Sequence, residues 1–235
     1  MKNLMFISVL AAFLLTGCSF FNAPKPNVDE ISATKIYQEK PVLGDFDGKE
    51  ANVAQNMVLN TNDKFLLSKY VGKKTGHDCS SFVSIVNKDH FNLYYAEKDV
   101  MKFYDASGRK SKAIFNLYES KKLINFDMPT AGDLVFFANT MGSGIKKNKD
   151  KKNITHVGIV TQVFEDATIE FVHYTKGKIY RDYMNLIKKD THKEGDKNIN
   201  SYVVKCKKNK ATCLASHRFA GYGKVNQDKM PKKRD

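Results

Sequence analysis

Three apolar stretches in the middle of the chain show the composition and alternation typical of β-strands. Leu134–Phe137 follows the Gly132-Asp133 turn, and residues 155–164 and 168–174 combine β-branched and aromatic side chains. The short segment 165–167 separates the last two stretches. The pattern therefore predicts an antiparallel hairpin over residues 155–174, preceded by a further strand.

The length of the hairpin loop decides whether two histidines meet. Successive side chains of a strand point to opposite faces, so His156 and His173 share a face if the loop holds an even number of residues. With Phe164 paired to Ala167, His156 lies opposite Thr175, and His173 is its diagonal neighbour at a Cβ separation of about 7 Å or less. An odd loop would turn the two rings to opposite faces.

A helix is predicted upstream of these strands. Asp78 is a good N-cap, and the apolar residues after it recur with helical spacing: Phe82, Val83, Ile85 and Val86. Cys79 therefore falls in the first helical turn, where free N–H groups and the helix dipole favour a thiolate. We expect this setting, together with an imidazolium, to lower the pKa of the thiol by one to several units. The alternative is a buried structural cysteine.

Cys79, His156 and His173 have the residue types of a cysteine hydrolase. A thiolate attacks an amide carbonyl best when an adjacent imidazole holds its proton and then delivers it to the leaving amine, a role that suits His156. His173 is assigned as the third polar group, which fixes the tautomer and angle of that ring. The N–H of Cys79 is placed to stabilise an oxyanion, and Ser80 is a further candidate for such a contact. The other histidines are interpreted as structural: His77, His90, His192 and His217.

The N-terminus has the pattern of an export signal. Lys2 precedes a largely apolar run, Leu4–Leu15, which is too short to span a bilayer as a stable helix. The sequence Leu15-Thr16-Gly17-Cys18 resembles the bacterial lipobox, which implies cleavage before Cys18 and acylation of that cysteine. Several acyl chains, at about 0.8 kcal/mol per buried methylene, anchor a protein durably. The alternative is an ordinary secreted protein with an accidental Gly-Cys pair.

Composition divides the chain into four parts. Residues 1–17 form the predicted signal peptide. Residues 18–48 lie in a proline-containing region without sustained periodicity, which indicates a tether. Residues 49–222 are long enough for one well-packed domain. Residues 223–235 form a basic tail.

Each of the four cysteines can be given a role. With Cys18 acylated and Cys79 assigned to chemistry, Cys206 and Cys213 remain, and an exported protein can pair them in a disulfide. Two free thiols are one alternative. A metal site that includes His217 is another, although no fourth ligand has a recognisable spacing.

The formal net charge of +14 favours anionic surroundings. No nucleic-acid recognition motif accompanies the basic residues, so in an exported protein the expected anions are cell-envelope polymers or lipid headgroups. Solubility alone is a sufficient reason for most of the lysines.

Four segments resemble, in order, the successive motifs of the NlpC family of cell-wall cysteine peptidases. They are Asp78–Val83, Gly132–Phe137, Thr155–Val160 and Phe171–His173. The similarity covers about residues 50–222, and its specific matches lie within 78–175. The resemblance implies a papain-like α+β domain in which the nucleophile helix packs on an antiparallel sheet that carries the histidines.

Carried over residue by residue, the resemblance makes Cys79 the nucleophile, His156 the base and His173 the orienting member. Tyr70 resembles an upstream tyrosine that lies beside the nucleophile in the family, so it is either a substrate or oxyanion contact or a packing residue. Ser81 departs from the family, which usually has glycine at this position. We expect its Cβ to narrow the approach to Cys79.

The resemblance further implies a peptidoglycan endopeptidase that cuts the bond between γ-D-glutamate and a diamino acid. Two alternatives are an amidase of the CHAP type, which cuts between muramic acid and L-alanine, and a catalytically silent envelope-binding lipoprotein. The expected location is the periplasmic face of the outer membrane in a cell with two membranes, and otherwise the cell surface. The expected partners are stem peptides and, through Cys18, the membrane. We expect a monomer that binds no nucleic acid and needs no metal or other cofactor.

Overall fold

A computed structural model describes residues 67–205 and 210–226. The helices in this part of the chain are α1 (Cys79–Asp89), α2 (Glu97–Val100), α3 (Lys110–Ser120), α4 (Gly144–Lys147) and α5 (Ala215–Arg218). Short 3-10 turns cover Leu67–Tyr70, Met101–Phe103 and Ala211–Cys213. None of these helices is long and apolar enough to cross a membrane.

The strands are β1 (Ile124–Asn125), β2 (Leu134–Ala138), β3 (Ile154–Val163), β4 (Ile169–Thr175), β5 (Lys178–Met184), β6 (Lys193–Glu194), β7 (Lys197–Asn198) and β8 (Phe219–Gly223). Six of them form one sheet in the order β1-β8-β2-β3-β4-β5, in which neighbouring strands are antiparallel. β6 and β7 pair separately. The α+β class and the predicted strands at β2, β3 and β4 are confirmed.

Apolar side chains are buried on both faces of the sheet. On one face, the ring of Phe136 packs edge-on against Phe115 and Tyr118 of α3, at centroid distances of 5.2 and 6.2 Å. The same cluster includes Phe82, Val83 and Val86 of α1. Because side chains alternate along β2, its other side chains join a second cluster. This second cluster includes Val135, Phe137, Phe171, Met184 and Ala215. Full burial of one such side chain contributes about 1.5–3 kcal/mol.

The start of α1 is held by a capping box. The Asp78 side chain accepts a hydrogen bond from the backbone N–H of Ser81 at 2.7 Å, and the Ser81 hydroxyl accepts one from the N–H of Asp78 at 2.9 Å. The same hydroxyl accepts the N–H of His77 at 2.7 Å. The predicted N-cap is confirmed. The Ser81 hydroxyl is committed to the backbone of the residues before the helix rather than free beside Cys79.

The loop of the β3–β4 hairpin differs from the predicted loop. Phe164 donates its N–H to the carbonyl of Thr168 at 2.8 Å, so three residues, an odd number, connect the strands. Ala167, the last of the three, has a φ of 62°. A three-residue hairpin loop commonly places its last residue in this left-handed region. The expected pairing of Phe164 with Ala167 is wrong.

A β-bulge compensates for the odd loop. Val160 pairs with Phe171, whereas Gln162 pairs with Glu170, so Thr161 is an extra residue in β3. The odd loop turns the side chains of β3 to the opposite face from the one predicted, and the extra residue turns those beyond it back again. Residues of β3 on the far side of the bulge therefore return to the predicted register.

The fold continues beyond the predicted domain boundary at residue 222. β8 ends at Gly223, and Val225 is buried and donates its N–H to Asp133 at 2.8 Å. Lys224 forms an ion pair with the same carboxylate at 3.1 Å. Residues 223–225 thus belong to the domain rather than to the tail. The predicted signal peptide, Cys18, the tether and residues 227–235 lie outside the described residues.

Candidate active site

The hairpin brings its two histidines into direct contact. Nε2 of His156 and Nδ1 of His173 are 2.6 Å apart. Their ring centroids are 4.8 Å apart and the rings are nearly perpendicular, at 83°. The predicted meeting of the two rings is confirmed, although it depends on the bulge as well as on the loop.

A carboxylate extends this pair across the next strand. Nε2 of His173 lies 2.8 Å from Oδ2 of Asp182 on β5. His173 is opposite Tyr180, and Phe171 is opposite Asp182, so His173 and Asp182 are diagonal neighbours on one face. The ring of His173 is almost completely buried. Asp182 was not among the site residues predicted from the sequence.

Cys79 is the first residue of α1 and packs against the cluster of the helix-covered face. The backbone N–H groups of Val157, Ser80 and Cys79 itself lie close enough to the sulfur to favour the thiolate and so to lower the pKa of the thiol. The N–H of Val157 belongs to the peptide bond that follows His156. The thiol therefore lies near the β3 backbone at Val157, the residue after the predicted base, and Cys79 keeps partial exposure to solvent.

Within the described residues, no hydrogen bond joins the Cys79 thiol on α1 to the imidazole of His156 on β3. Main-chain N–H groups lie near the sulfur, and Nε2 of His156 is hydrogen-bonded to His173. Nucleophile–base hydrogen bonds are often long in enzymes without substrate and shorten when substrate binds. The geometry leaves Nδ1 of His156 as the nitrogen available to a nucleophile.

Burial raises the pKa of the Cys79 thiol from its ordinary value of 9.0 to about 12. The nearby carboxylate of Asp78 raises this pKa further, whereas the three backbone N–H groups lower it. Desolvation of the thiolate is the largest of these effects. The expected lowering of this pKa is therefore wrong, because the cost of burying the charge exceeds the stabilisation that the helix N-terminus gives.

The pKa of His156 is lowered well below 6.5, mainly because burial disfavours the imidazolium and secondly because two protonated histidine rings in contact would repel each other. The apolar ring of Phe137, opposite His156 in the sheet, has its centroid 6.0 Å away. The resting pair is thus a neutral thiol and a neutral imidazole at physiological pH. A neutral imidazole is the form that accepts a proton.

The hydroxyl of Tyr70 is bound at the opposite end of α1 from Cys79. Its hydroxyl donates to Oδ2 of Asp89 at 2.5 Å, and its ring packs edge-on against Phe82 at 5.7 Å. Asp89 is the last residue of α1, and ten residues of helix correspond to about 15 Å of rise from Cys79. Of the two roles proposed for Tyr70, the packing role fits this position.

Ser80 contributes its main chain to the site. The backbone N–H of Ser80 lowers the pKa of the Cys79 thiol, whereas the buried hydroxyl of Ser80 donates to Oδ1 of Asp78 at 2.8 Å. Two consecutive N–H groups, those of Cys79 and Ser80, thus lie beside the thiol at a helix N-terminus. This arrangement can stabilise negative charge on a nearby oxygen.

The remaining predicted sites lie apart from this cluster. His217 binds Asp190, with Nε2 and Oδ1 2.7 Å apart. Cys213 is disulfide-bonded, while its predicted partner Cys206 lies outside the described residues. Among the residues that the structure describes, no group of three or more His, Cys, Asp or Glu side chains could hold a metal ion.

Comparison of the chain with models of known protein families, with curated proteins and with solved structures found no match. The geometry of the site and the sequence motifs therefore carry the functional argument.

Proposed function

We propose that this protein is a peptidoglycan endopeptidase with a papain-like domain of the NlpC type, which uses Cys79, His156 and His173 to hydrolyse amide bonds of cell-wall stem peptides. The single observation that carries the proposal is the position of the thiol. Cys79 is the first residue of a helix, and its thiol lies near the backbone N–H of Val157, the residue that follows His156. The ring of His156 is in turn hydrogen-bonded to that of His173.

The first half of the reaction is acylation. Nδ1 of His156 takes the thiol proton while the sulfur of Cys79 attacks the substrate carbonyl carbon, which requires Sγ and Nδ1 to reach hydrogen-bond distance. The N–H groups of Cys79 and Ser80 stabilise the oxyanion. The tetrahedral intermediate then collapses to a thioester, and His156 gives its proton to the departing amine.

The second half is hydrolysis of the thioester. His156 takes a proton from water, the resulting hydroxide attacks the thioester carbonyl, and the carboxylic acid product leaves. The sulfur recovers its proton from His156, so the site returns to the neutral thiol and imidazole. His173 holds the ring of His156 at a fixed angle throughout.

The substrate follows from the resemblance of four ordered segments to the NlpC motifs. Those motifs point to the bond between γ-D-glutamate and a diamino acid. The Leu15-Thr16-Gly17-Cys18 sequence agrees with this substrate, because acylation of Cys18 would hold the protein at the cell envelope. The net positive charge is compatible with the anionic polymers found there.

The test is digestion of purified peptidoglycan by the full chain in detergent, followed by mass analysis of the products. The endopeptidase should release peptide fragments and leave shortened stems on the glycan. Release of complete stem peptides would instead identify an amidase. The Cys79→Ala variant should yield no products. Binding of peptidoglycan without release of peptides, equal in wild type and Cys79→Ala, would contradict the proposal.

A further inference from the structure

We propose that Asp182 is a positioning residue for the proposed peptidase: its carboxylate fixes which nitrogen of His173, and through it which nitrogen of His156, carries the proton. The inference rests on the proposed function. It adds a fourth side chain behind the three that the sequence motifs indicate.

Regular strand pairing holds Asp182 in place. β4 and β5 pair without a bulge from Ile169 opposite Met184 to Thr175 opposite Lys178. The carboxylate is 24% exposed, while the His173 side chain that it meets is 2% exposed. A buried imidazole cannot exchange this partner for water, so its hydrogen bonds with Asp182 and His156 determine its protonation pattern.

The pattern follows from the hydrogen-bonding capacity of each group. An ionised carboxylate only accepts hydrogen bonds, so Nε2 of a His173 bonded to Asp182 must carry a proton. In a neutral ring the other nitrogen, Nδ1, is then an acceptor. Nδ1 of His173 lies 2.6 Å from Nε2 of His156. Because Nδ1 of His173 is the acceptor, Nε2 of His156 must be the donor and must carry a proton. The remaining nitrogen of His156, Nδ1, is left as a bare acceptor.

This tautomer is the one that the first reaction step requires. If the donor and acceptor in the hydrogen bond between the two histidines were exchanged, Nδ1 of a neutral His156 would carry a proton. It could then not take the proton of the thiol. The negative charge of Asp182 is also linked to His156, because Asp182 is hydrogen-bonded to His173 and His173 is hydrogen-bonded to His156. An imidazolium that forms there during the attack lies in a largely buried site, where a fixed charge acts more strongly than in water.

Two substitutions separate this role from simple packing. The amide of Asp182→Asn can either accept from or donate to Nε2 of His173, so it permits both tautomers. We expect kcat to fall by about a hundredfold or more, with a smaller change in KM, because the lost function is proton transfer. Asp182→Glu keeps an acceptor and should recover part of kcat.

The chain offers a matched control in Asp190. Its Oδ1 lies 2.7 Å from Nε2 of His217, much as Asp182 meets His173, but the Asp190 side chain is 78% exposed. Asp190→Asn should leave kcat and KM unchanged. A similar loss in both variants would show that the assay reports a general effect of removing a His–Asp pair, and would overturn the proposal.

A readout that does not depend on turnover is the 15N chemical shift of the histidine ring nitrogens in the full chain labelled with 15N-histidine. Wild type should show proton-bearing Nε2 and bare Nδ1 in both His156 and His173. Asp182→Asn should shift both rings toward a mixture or the opposite tautomer. Bare Nε2 in the wild type, or unchanged tautomers in folded Asp182→Asn, would overturn the proposal.

The two readouts distinguish the failure of this inference from failure of the proposed function. If the wild-type chain cleaves no peptidoglycan, the proposed function fails and the tautomers still decide the role of Asp182. If circular dichroism shows that Asp182→Asn does not fold, the kcat of Asp182→Glu and the tautomers of the wild type test the proposed role of Asp182 instead. A fall in kcat with wild-type tautomers would assign Asp182 a structural role only.

Discussion

The thiol of Cys79 should titrate far above neutral pH, and this can be tested by alkylation. Its pKa is raised from 9.0 to about 12 because the thiolate would be buried. A rise of three units lowers the thiolate fraction about a thousandfold at any pH below 9. Since the thiolate is the reactive species, the alkylation rate should still be increasing tenfold per pH unit at pH 10.

The measurement is the rate of iodoacetamide labelling of the full chain between pH 6 and pH 11, followed by mass spectrometry of the peptide that contains Cys79. Peptide-resolved detection removes any contribution from other cysteines. The same peptide in guanidinium-unfolded chain provides the reference: its rate should be half-maximal near pH 9 and level off above that pH. The dependence on pH, and not the absolute rate, is the quantity of interest, because restricted access lowers the rate at every pH. In the folded chain the rate should still be rising at pH 11.

A plateau in the rate near neutral pH would refute this reasoning. It would mean that the sulfur is already ionised and paired with an imidazolium, as the helix N-terminus alone suggested. His156→Gln distinguishes the two cases. The substitution should leave the neutral-pH rate almost unchanged if the resting pair is neutral, whereas it should abolish the plateau if His156 carries the compensating charge.

Three further outcomes follow from the described contacts. Above pH 9 the folded state keeps the thiol proton of Cys79, whereas the unfolded state loses it. Between pH 9 and pH 10, the free energy of unfolding measured in urea should therefore fall by about 1 kcal/mol more for the wild type than for Cys79→Ala. Equal losses would contradict the raised pKa. Ala167→Gly should stabilise the chain by about 0.5–1 kcal/mol, because glycine adopts a φ of 62° without strain; a destabilisation would contradict this. Ser81→Ala should cost about 1 kcal/mol, since its hydroxyl accepts the N–H groups of His77 and Asp78; urea unfolding with an unchanged midpoint would refute the capping role.

The strands could be predicted because β-branched and aromatic side chains alternate along them, but their exact pairing could not. The contact between His156 and His173 was predicted from an even loop. The loop is odd, and the extra residue at Thr161 restores the register. A bulge leaves no clear mark in the hydrophobic pattern, because Thr161 suits a regular strand equally well.

The protonation state of Cys79 could not be read from its position in the sequence. Asp78 as N-cap placed Cys79 correctly at the start of α1. The sign of the pKa shift, however, depends on a competition between nearby backbone N–H groups of α1 and β3, which lower the pKa, and burial of the thiol, which raises it. The second effect exists only because α1 packs on the sheet, and packing distances between distant segments are not encoded in local spacing.

Asp182, in contrast, was within reach of the sequence. Lys176 and Gly177 separate β4 from β5, and both have positive φ, at 48° and 83°, as a two-residue hairpin turn requires. If Thr175 is paired with Lys178 across such a turn, counting back along both strands places Asp182 diagonal to His173. The Lys-Gly pair is a weaker turn signal than Asn-Gly or Asp-Gly, and for this reason it is easily missed. A carboxylate behind a pair of histidines can therefore be recognised from the spacing of the hairpin turns, provided that the turn residues are examined for their backbone requirements.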